Sequence, residues 1–102
     1  MKYSQTPQFE ADFRRLTAEH RSLFKQCFPD FSEACDAYAA QDQASWPARF
    51  RVRPMAGRSG IWEMTWSFSG PDGRATFEFL QEDGETRIRW RRIGDHSVYK
   101  KP

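Results

Sequence analysis

Trp62-Glu63-Met64-Thr65-Trp66-Ser67-Phe68 alternates bulky apolar and polar residues without a break. That period of two marks a strand with one packed face and one polar face. The same period recurs on both sides of it. Phe50 and Val52 alternate with Arg49, Arg51 and Arg53, Ala75, Phe77 and Phe79 with Arg74, Thr76 and Glu78, and Ile88 and Trp90 with Arg87, Arg89 and Arg91. The connections at 56–60, 69–73 and 82–85 are short and rich in Gly, Ser, Pro and Asp, which favours antiparallel hairpins over crossovers.

Upstream of Trp46-Pro47 the period is different. Phe9, Phe13, Leu16, Leu23, Phe24, Cys27, Phe28, Phe31, Cys35 and Tyr38 follow one another largely in steps of three and four, the spacing of one helix face. Thr6 is suited to cap the first helix, with Pro7 at the position where a missing N–H costs nothing. Pro29-Asp30 is expected to break the run, leaving helices over 7–28 and 31–42, with a short strand at residues 2–4 ahead of them. The fold class expected is α+β, with two N-terminal helices packed on the aromatic face of a roughly four-stranded antiparallel sheet.

Composition bounds what such a fold can do. The 102 residues are read as one domain spanning 1–102, with 16 aromatic residues to fill its core. No apolar run is long enough to cross a bilayer and no signal-peptide pattern follows Met1, so the chain is read as cytoplasmic with no membrane partner. Cys27 and Cys35 lack a CxxC or a histidine at metal spacing and are read as two buried, reduced thiols. Charge is uneven: residues 1–48 hold 5 Lys and Arg against 7 Asp and Glu, and residues 49–102 hold 11 against 7. The basic character belongs to the strand-rich half.

The pleat decides where that charge goes. With the aromatic faces on the helices, Arg51, Arg53, Glu63, Thr65, Arg74, Thr76, Glu78, Arg87, Arg89 and Arg91 point from the opposite, open face. Arginine clamps phosphate with its fork and stacks on bases, so this face reads as a platform for RNA or phosphate. Ordinary cross-strand Arg–Glu pairing on a solvated face is the plainer interpretation of the same residues. The arginine-rich run 86–93 leads straight into Gly94-Asp95-His96-Ser97-Val98-Tyr99, bringing an imidazole and a phenol beside the cations. Histidine titrates near neutrality and can move a proton there, which suggests phosphodiester chemistry. For a lone histidine ending a surface strand, with the arginines as its solvated face, no role at all is the usual case.

Four segments in order, Thr6-Pro7-Gln8-Phe9-Glu10-Ala11-Asp12-Phe13-Arg14-Arg15-Leu16, Met55-Ala56-Gly57-Arg58-Ser59-Gly60-Ile61-Trp62-Glu63, Gly73-Arg74-Ala75-Thr76-Phe77 and Arg92-Ile93-Gly94-Asp95-His96-Ser97-Val98-Tyr99, resemble the successive motifs of the RelE/ParE toxin superfamily. Within it they resemble the RelE, YoeB and YafQ type of mRNA endonuclease. The resemblance spans nearly the whole chain. It implies a bacterial type II toxin that is neutralised by a cognate antitoxin, enters the ribosomal A site and cuts mRNA there without metal or other cofactor.

By position, the resemblance implies that Arg74 contacts the scissile phosphate, His96 acts on the leaving group, and Tyr99 stacks on or positions the substrate. Many relatives carry lysine or arginine where this chain has Glu63 and Thr65, so a second cationic contact comes from Arg51, Arg53 or Arg89 or is missing. The chemistry needs only a 2′-OH aimed at the adjacent phosphorus, one proton removed, charge stabilised on the phosphorane and one proton given to the departing 5′-oxygen. Glu63 is the carboxylate best suited to act as base, with Glu78 next, and Asp95 has a supporting role at most. Two further readings go with the same fold: an inert relative that mainly binds an antitoxin, and a ParE-like gyrase inhibitor, which needs no proton donor.

Overall fold

The computed structural model describes residues 1–40, 46–67 and 73–102. Expected features at residues 41–42, Phe68 and the 69–72 turn lie outside the described residues. Five strands and two helices follow one another: β1 (Tyr3–Gln5), α1 (Pro7–Arg15), α2 (Ala18–Ala39), β2 (Arg53–Pro54), β3 (Trp62–Ser67), β4 (Gly73–Glu82) and β5 (Glu85–Gly94). Short 3-10 turns occupy Ala48–Phe50 and His96–Lys100. The strand order is β1-β5-β4-β3-β2.

The helix-on-sheet architecture is the one expected, with three differences in detail. The sheet is five-stranded and mixed: β1 lies parallel to β5, with Tyr3 opposite Ile88 and Gln5 opposite Trp90. A three-residue strand is too short to betray its pairing by periodicity. The first expected strand also shrinks to Arg53–Pro54, because residues 48–50 wind into a 3-10 turn and Arg51 takes a left-handed conformation, φ 45°.

The helix break is the third difference. It falls at Leu16-Thr17, where Leu16 turns extended and the Thr17 hydroxyl accepts from His20 N at 3.1 Å, capping a new helix. Pro29 sits inside α2 instead of ending it. Both Pro29 and Lys25, whose carbonyl the proline leaves without its helical donor, are on the exposed side, where water can serve that carbonyl.

Thr6 behaves as the sequence suggests and does more. Its hydroxyl accepts from Phe9 N at 3.1 Å, capping α1, and donates to the Arg91 carbonyl at 2.8 Å, pinning that helix to β5. One face of the sheet then packs its aromatics on the helices: Phe24 meets Trp90 at 5.2 Å between ring centroids and Phe31 meets Phe77 at 5.3 Å. Met64, Phe77, Ile88 and Trp90 are essentially excluded from water. Trp66 lies flat against the β4 backbone, so a Cβ at Gly73 would come 2.4 Å from its ring, while its indole N–H donates to the Arg74 carbonyl at 3.0 Å. Only glycine fits there.

The opposite face is not the open platform the alternation suggested. Glu63, Thr65, Ser67, Arg74 and Thr76 are all buried. The turn His96–Lys100 folds back over β4 and β5 with Val98 buried beneath it, so the C-terminal segment roofs part of the polar face. A strand pattern reveals which residues share a face, but not which later segment covers it.

Candidate active site

Antiparallel register gathers the site. Arg53 on β2 stands opposite Glu63 on β3, and Thr65 on β3 stands opposite Arg74 on β4. The left-handed turn at Arg51 brings Arg51 and Val52 in beside them, and the roof contributes Tyr99. Together these seven residues line one cavity of about 250 Å³. That is below the roughly 300–1,000 Å³ of sites for drug-sized ligands and suits one phosphate with part of its sugar.

Arg74 Nη1 donates to Thr65 Oγ1 at 2.7 Å in a buried setting, which fixes the guanidinium in the cavity wall. Arg53 Nε donates to Glu63 Oε1. Since the Arg53 side chain is 74% exposed and that of Glu63 only 9%, the arginine covers the carboxylate from the solvent side. Arg51 has no ion-pair partner among the described residues. Its positive φ is uncommon for a residue with a β-carbon and costs on the order of 1 kcal/mol, a kind of strain that clusters at functional sites.

Burial, reinforced by the nearby Glu63 charge and opposed by Arg74 and Arg53, pushes the Tyr99 phenol up to about 12. Tyr99 therefore keeps its proton at neutral pH and can donate a hydrogen bond or stack, but cannot act as a base. His96 is exposed and does not line the cavity; its ring lies 5.6 Å from that of Tyr99, centroid to centroid. The expectation put it at the edge of the last strand, whereas β5 ends at Gly94 and His96 opens the following turn. Asp95 caps that turn, accepting from Ser97 N at 2.8 Å, and the Ser97 hydrogen bond holds its carboxyl below the usual range.

The other candidate cations stand apart from the cavity. Arg87 pairs with Glu82 at 3.0 Å, and Glu78 takes both Arg89 at 3.0 Å and Arg91 at 2.5 Å. Partial burial works against the Glu78 charge, yet the Arg91 and Arg89 hydrogen bonds prevail and hold its carboxyl below the usual range. Glu78 is thus paired with two arginines and is not among the residues that line the cavity. The cross-strand pairing interpretation describes this end of the sheet, and Arg53–Glu63 is a further cross-strand pair at the cavity.

Cys27 and Cys35 are free thiols, with Cys35 buried and Cys27 half-buried; burial pushes both thiols up, Cys27 to about 11. Sequence reasoning missed one buried charge altogether. Asp12 on α1 accepts from Arg92 Nε at 2.6 Å, Arg92 Nη2 at 3.2 Å and Ile93 N at 3.2 Å. The signal was an acid directly beside Phe13 on a helix otherwise apolar on that side. No helix among the described residues is long and apolar enough to cross a membrane.

No protein-family model and no curated protein matches the chain. Two solved structures resemble it. A chain of the intact E. coli RelBE toxin–antitoxin complex superposes with a TM-score of 0.54 at 10% identity, over 92% of this chain and 94% of that one. The YoeB/ParE toxin from Agrobacterium tumefaciens superposes with a TM-score of 0.52 at 14% identity, over 94% of this chain and 99% of that one. At such low identity the likeness speaks for architecture, and over nearly its whole length this chain has the fold of the RelE/ParE-type toxins.

Proposed function

We propose that the chain is the toxin of a type II toxin–antitoxin pair and a metal-independent endoribonuclease that cleaves mRNA in the ribosomal A site. The observation that carries this reading is the convergence of Arg51, Arg53, Arg74 and Tyr99 on one cavity of phosphate size, with His96 against the Tyr99 ring at its edge. In the reaction the 2′-OH attacks the adjacent phosphorus and the 5′-oxygen leaves, so the products are a cyclic phosphate and a 5′-hydroxyl end. Arg74 stabilises the phosphorane, helped by Arg51, and Tyr99 donates to or stacks on the substrate. His96, as imidazolium, protonates the leaving oxygen, and Glu63 takes the 2′-OH proton. Because a carboxylate has about four lone-pair sites, the bond from Arg53 leaves Glu63 acceptor capacity.

A cognate antitoxin is the expected partner. The groove of about 370 Å³ lined by Tyr3, Phe9, Phe13, Phe24, Phe28 and Trp90 offers apolar anchorage for an amphipathic helix, and the arginine-bearing strands offer complementary charge for an acidic one. The test is inducible expression in bacteria with primer extension on cellular mRNAs. Growth arrest with new 5′ ends inside reading frames supports the reading; normal growth at high expression of the folded protein overturns it.

One observation favours a second reading, that of an inert relative whose role is to bind the antitoxin. Glu63 neutralises Arg53, where many relatives place a cation in the position of Glu63 itself. Glu63→Gln separates the two: cleavage falls if Glu63 is the base, and rises or first appears if Glu63 only cancels a needed positive charge.

A further inference from the structure

We infer that a second cleft, across the C-terminal turn from the cavity at Arg74, is a phosphate-binding subsite for the flanking backbone of the same RNA strand. This rests on the ribonuclease reading above. Arg58, Arg91, Arg92, Lys100 and Lys101 line this cleft of about 460 Å³, and among the described residues no carboxylate side chain does. Two of the five charges are offset from outside it, Arg91 by Glu78 and Arg92 by Asp12. Arg58, Lys100 and Lys101 have no carboxylate partner among the described residues. Three cations without a carboxylate side-chain partner among the described residues repel one another around one concavity, and a polyanion relieves that repulsion.

The cations are also held in place. Arg58 donates to the Lys100 carbonyl at 3.4 Å, Arg92 to the Lys101 carbonyl at 3.0 Å, and Arg91 to the Pro102 carbonyl at 3.2 Å. The same main chain thus fixes three guanidinium groups, so a ligand meets donors already oriented. Tyr99 lines the first cavity and Lys100, the next residue, lines the cleft. The turn is the ridge between them, and a strand crossing it leaves one phosphate at Arg74 and later phosphates among the lysines.

An acidic protein segment is the other polyanion to consider. A helix docking in a groove needs apolar anchors, and here the polar Thr6 and Gln8 accompany the cations, with Ile61 and Pro102 the apolar lining. That chemistry favours a sugar-phosphate backbone.

The decisive measurement is fluorescence-anisotropy binding of 2′-O-methyl RNA, which cannot attack itself, as a 3-mer and a 12-mer across a salt series. The parent is compared with the Arg58→Ala/Lys100→Ala/Lys101→Ala variant. All three side chains are exposed, so the fold is expected to survive, and Lys101→Ala alone provides a milder variant. The triple variant should bind the 12-mer at least tenfold more weakly at low salt, with the slope of log K against log salt reduced by about 2, at about 0.7 per single-strand phosphate contact. Its 3-mer binding should stay within about twofold of the parent.

Unchanged 12-mer affinity and slope would overturn the subsite, as would an acidic 12-residue peptide that binds the parent as tightly as RNA and loses binding in the variant. Cleavage on translating ribosomes is scored separately by primer extension. A parent that never cleaves, yet binds the 12-mer through these three residues, would remove the ribonuclease reading and leave the subsite standing.

Discussion

The polar face of the sheet has two arginine-rich ends that look alike in sequence and differ in structure. At the hairpin end, Arg87, Arg89 and Arg91 meet Glu82 and Glu78, so three cations face two carboxylates and form cross-strand pairs. At the other end, Arg51, Arg53 and Arg74 surround a cavity in which Glu63 is the sole carboxylate among the described lining residues. The first arrangement spends its charge on holding strands together. The second sets Arg51, which has no ion-pair partner among the described residues, beside Arg74 and the Arg53–Glu63 pair at a space into which a phosphate fits, so what the arginines surround, and not their count, distinguishes the two ends.

The largest expected effect breaks the comparison most directly. His96→Gln should lower cleavage by roughly 10²–10⁴-fold, the usual cost of removing a positioned general acid, with the melting temperature unchanged because His96 is exposed. Arg74→Ala should cost about 10²–10³-fold through lost charge stabilisation. Arg89→Ala, at the paired end, should leave cleavage within about twofold. Primer extension at matched expression checks all three, and a loss for Arg89→Ala equal to that for Arg74→Ala would erase the distinction between the ends.

Stability should respond in the opposite sense. Glu78→Gln removes the shared partner of Arg89 and Arg91 and should destabilise the fold by about 1 kcal/mol at pH 7, a modest figure because these pairs are partly solvated. Denaturant titration measures this, and cleavage should persist. The smallest effect is the pH dependence of that difference. The folded carboxyl of Glu78 lies below its unfolded value, so its stabilisation is fully present above the unfolded value of about 4.3 and is lost as pH falls through the folded one. Melting curves of parent and Glu78→Gln should therefore converge in acid; a gap that stayed constant to pH 2 would refute the attribution to ionised Glu78.

Much of the architecture was legible because it is local. The period-two run at Trp62 and the helical spacing of the early phenylalanines each report which face is buried, and packing honoured both. What escaped the sequence is set by partners distant along the chain. Arg92 finds Asp12 80 residues away, and β1 pairs with a strand more than 80 residues downstream. Nothing in either neighbourhood announces the match. The helix break went to Thr17 and not Pro29 because a good cap is a positive signal, whereas a proline on a wet face is tolerable. The site was half visible: alternation placed Arg53, Glu63, Thr65 and Arg74 on one face, but the roof that covers part of that face and delivers Tyr99 is tertiary.

The place of β5 in the sheet has a consequence for synthesis. It is the last strand in sequence, yet it lies between β1 and β4, and Thr6 N bonds to the Trp90 carbonyl at 2.9 Å. On a growing chain, α1 and β1 have no partner strand until residues 85–94 have left the exit tunnel, whereas α2 can meet β3 and β4 before then. At translation speeds of roughly 5–20 residues per second, the ten residues of β5 take about 0.5–2 s to add, and over that time Phe9 lacks its Trp90 neighbour. For that interval the nascent chain carries part of the hydrophobic surface of the fold uncovered, and since Tyr99 follows β5 in the chain, the cavity is complete only after that strand is made.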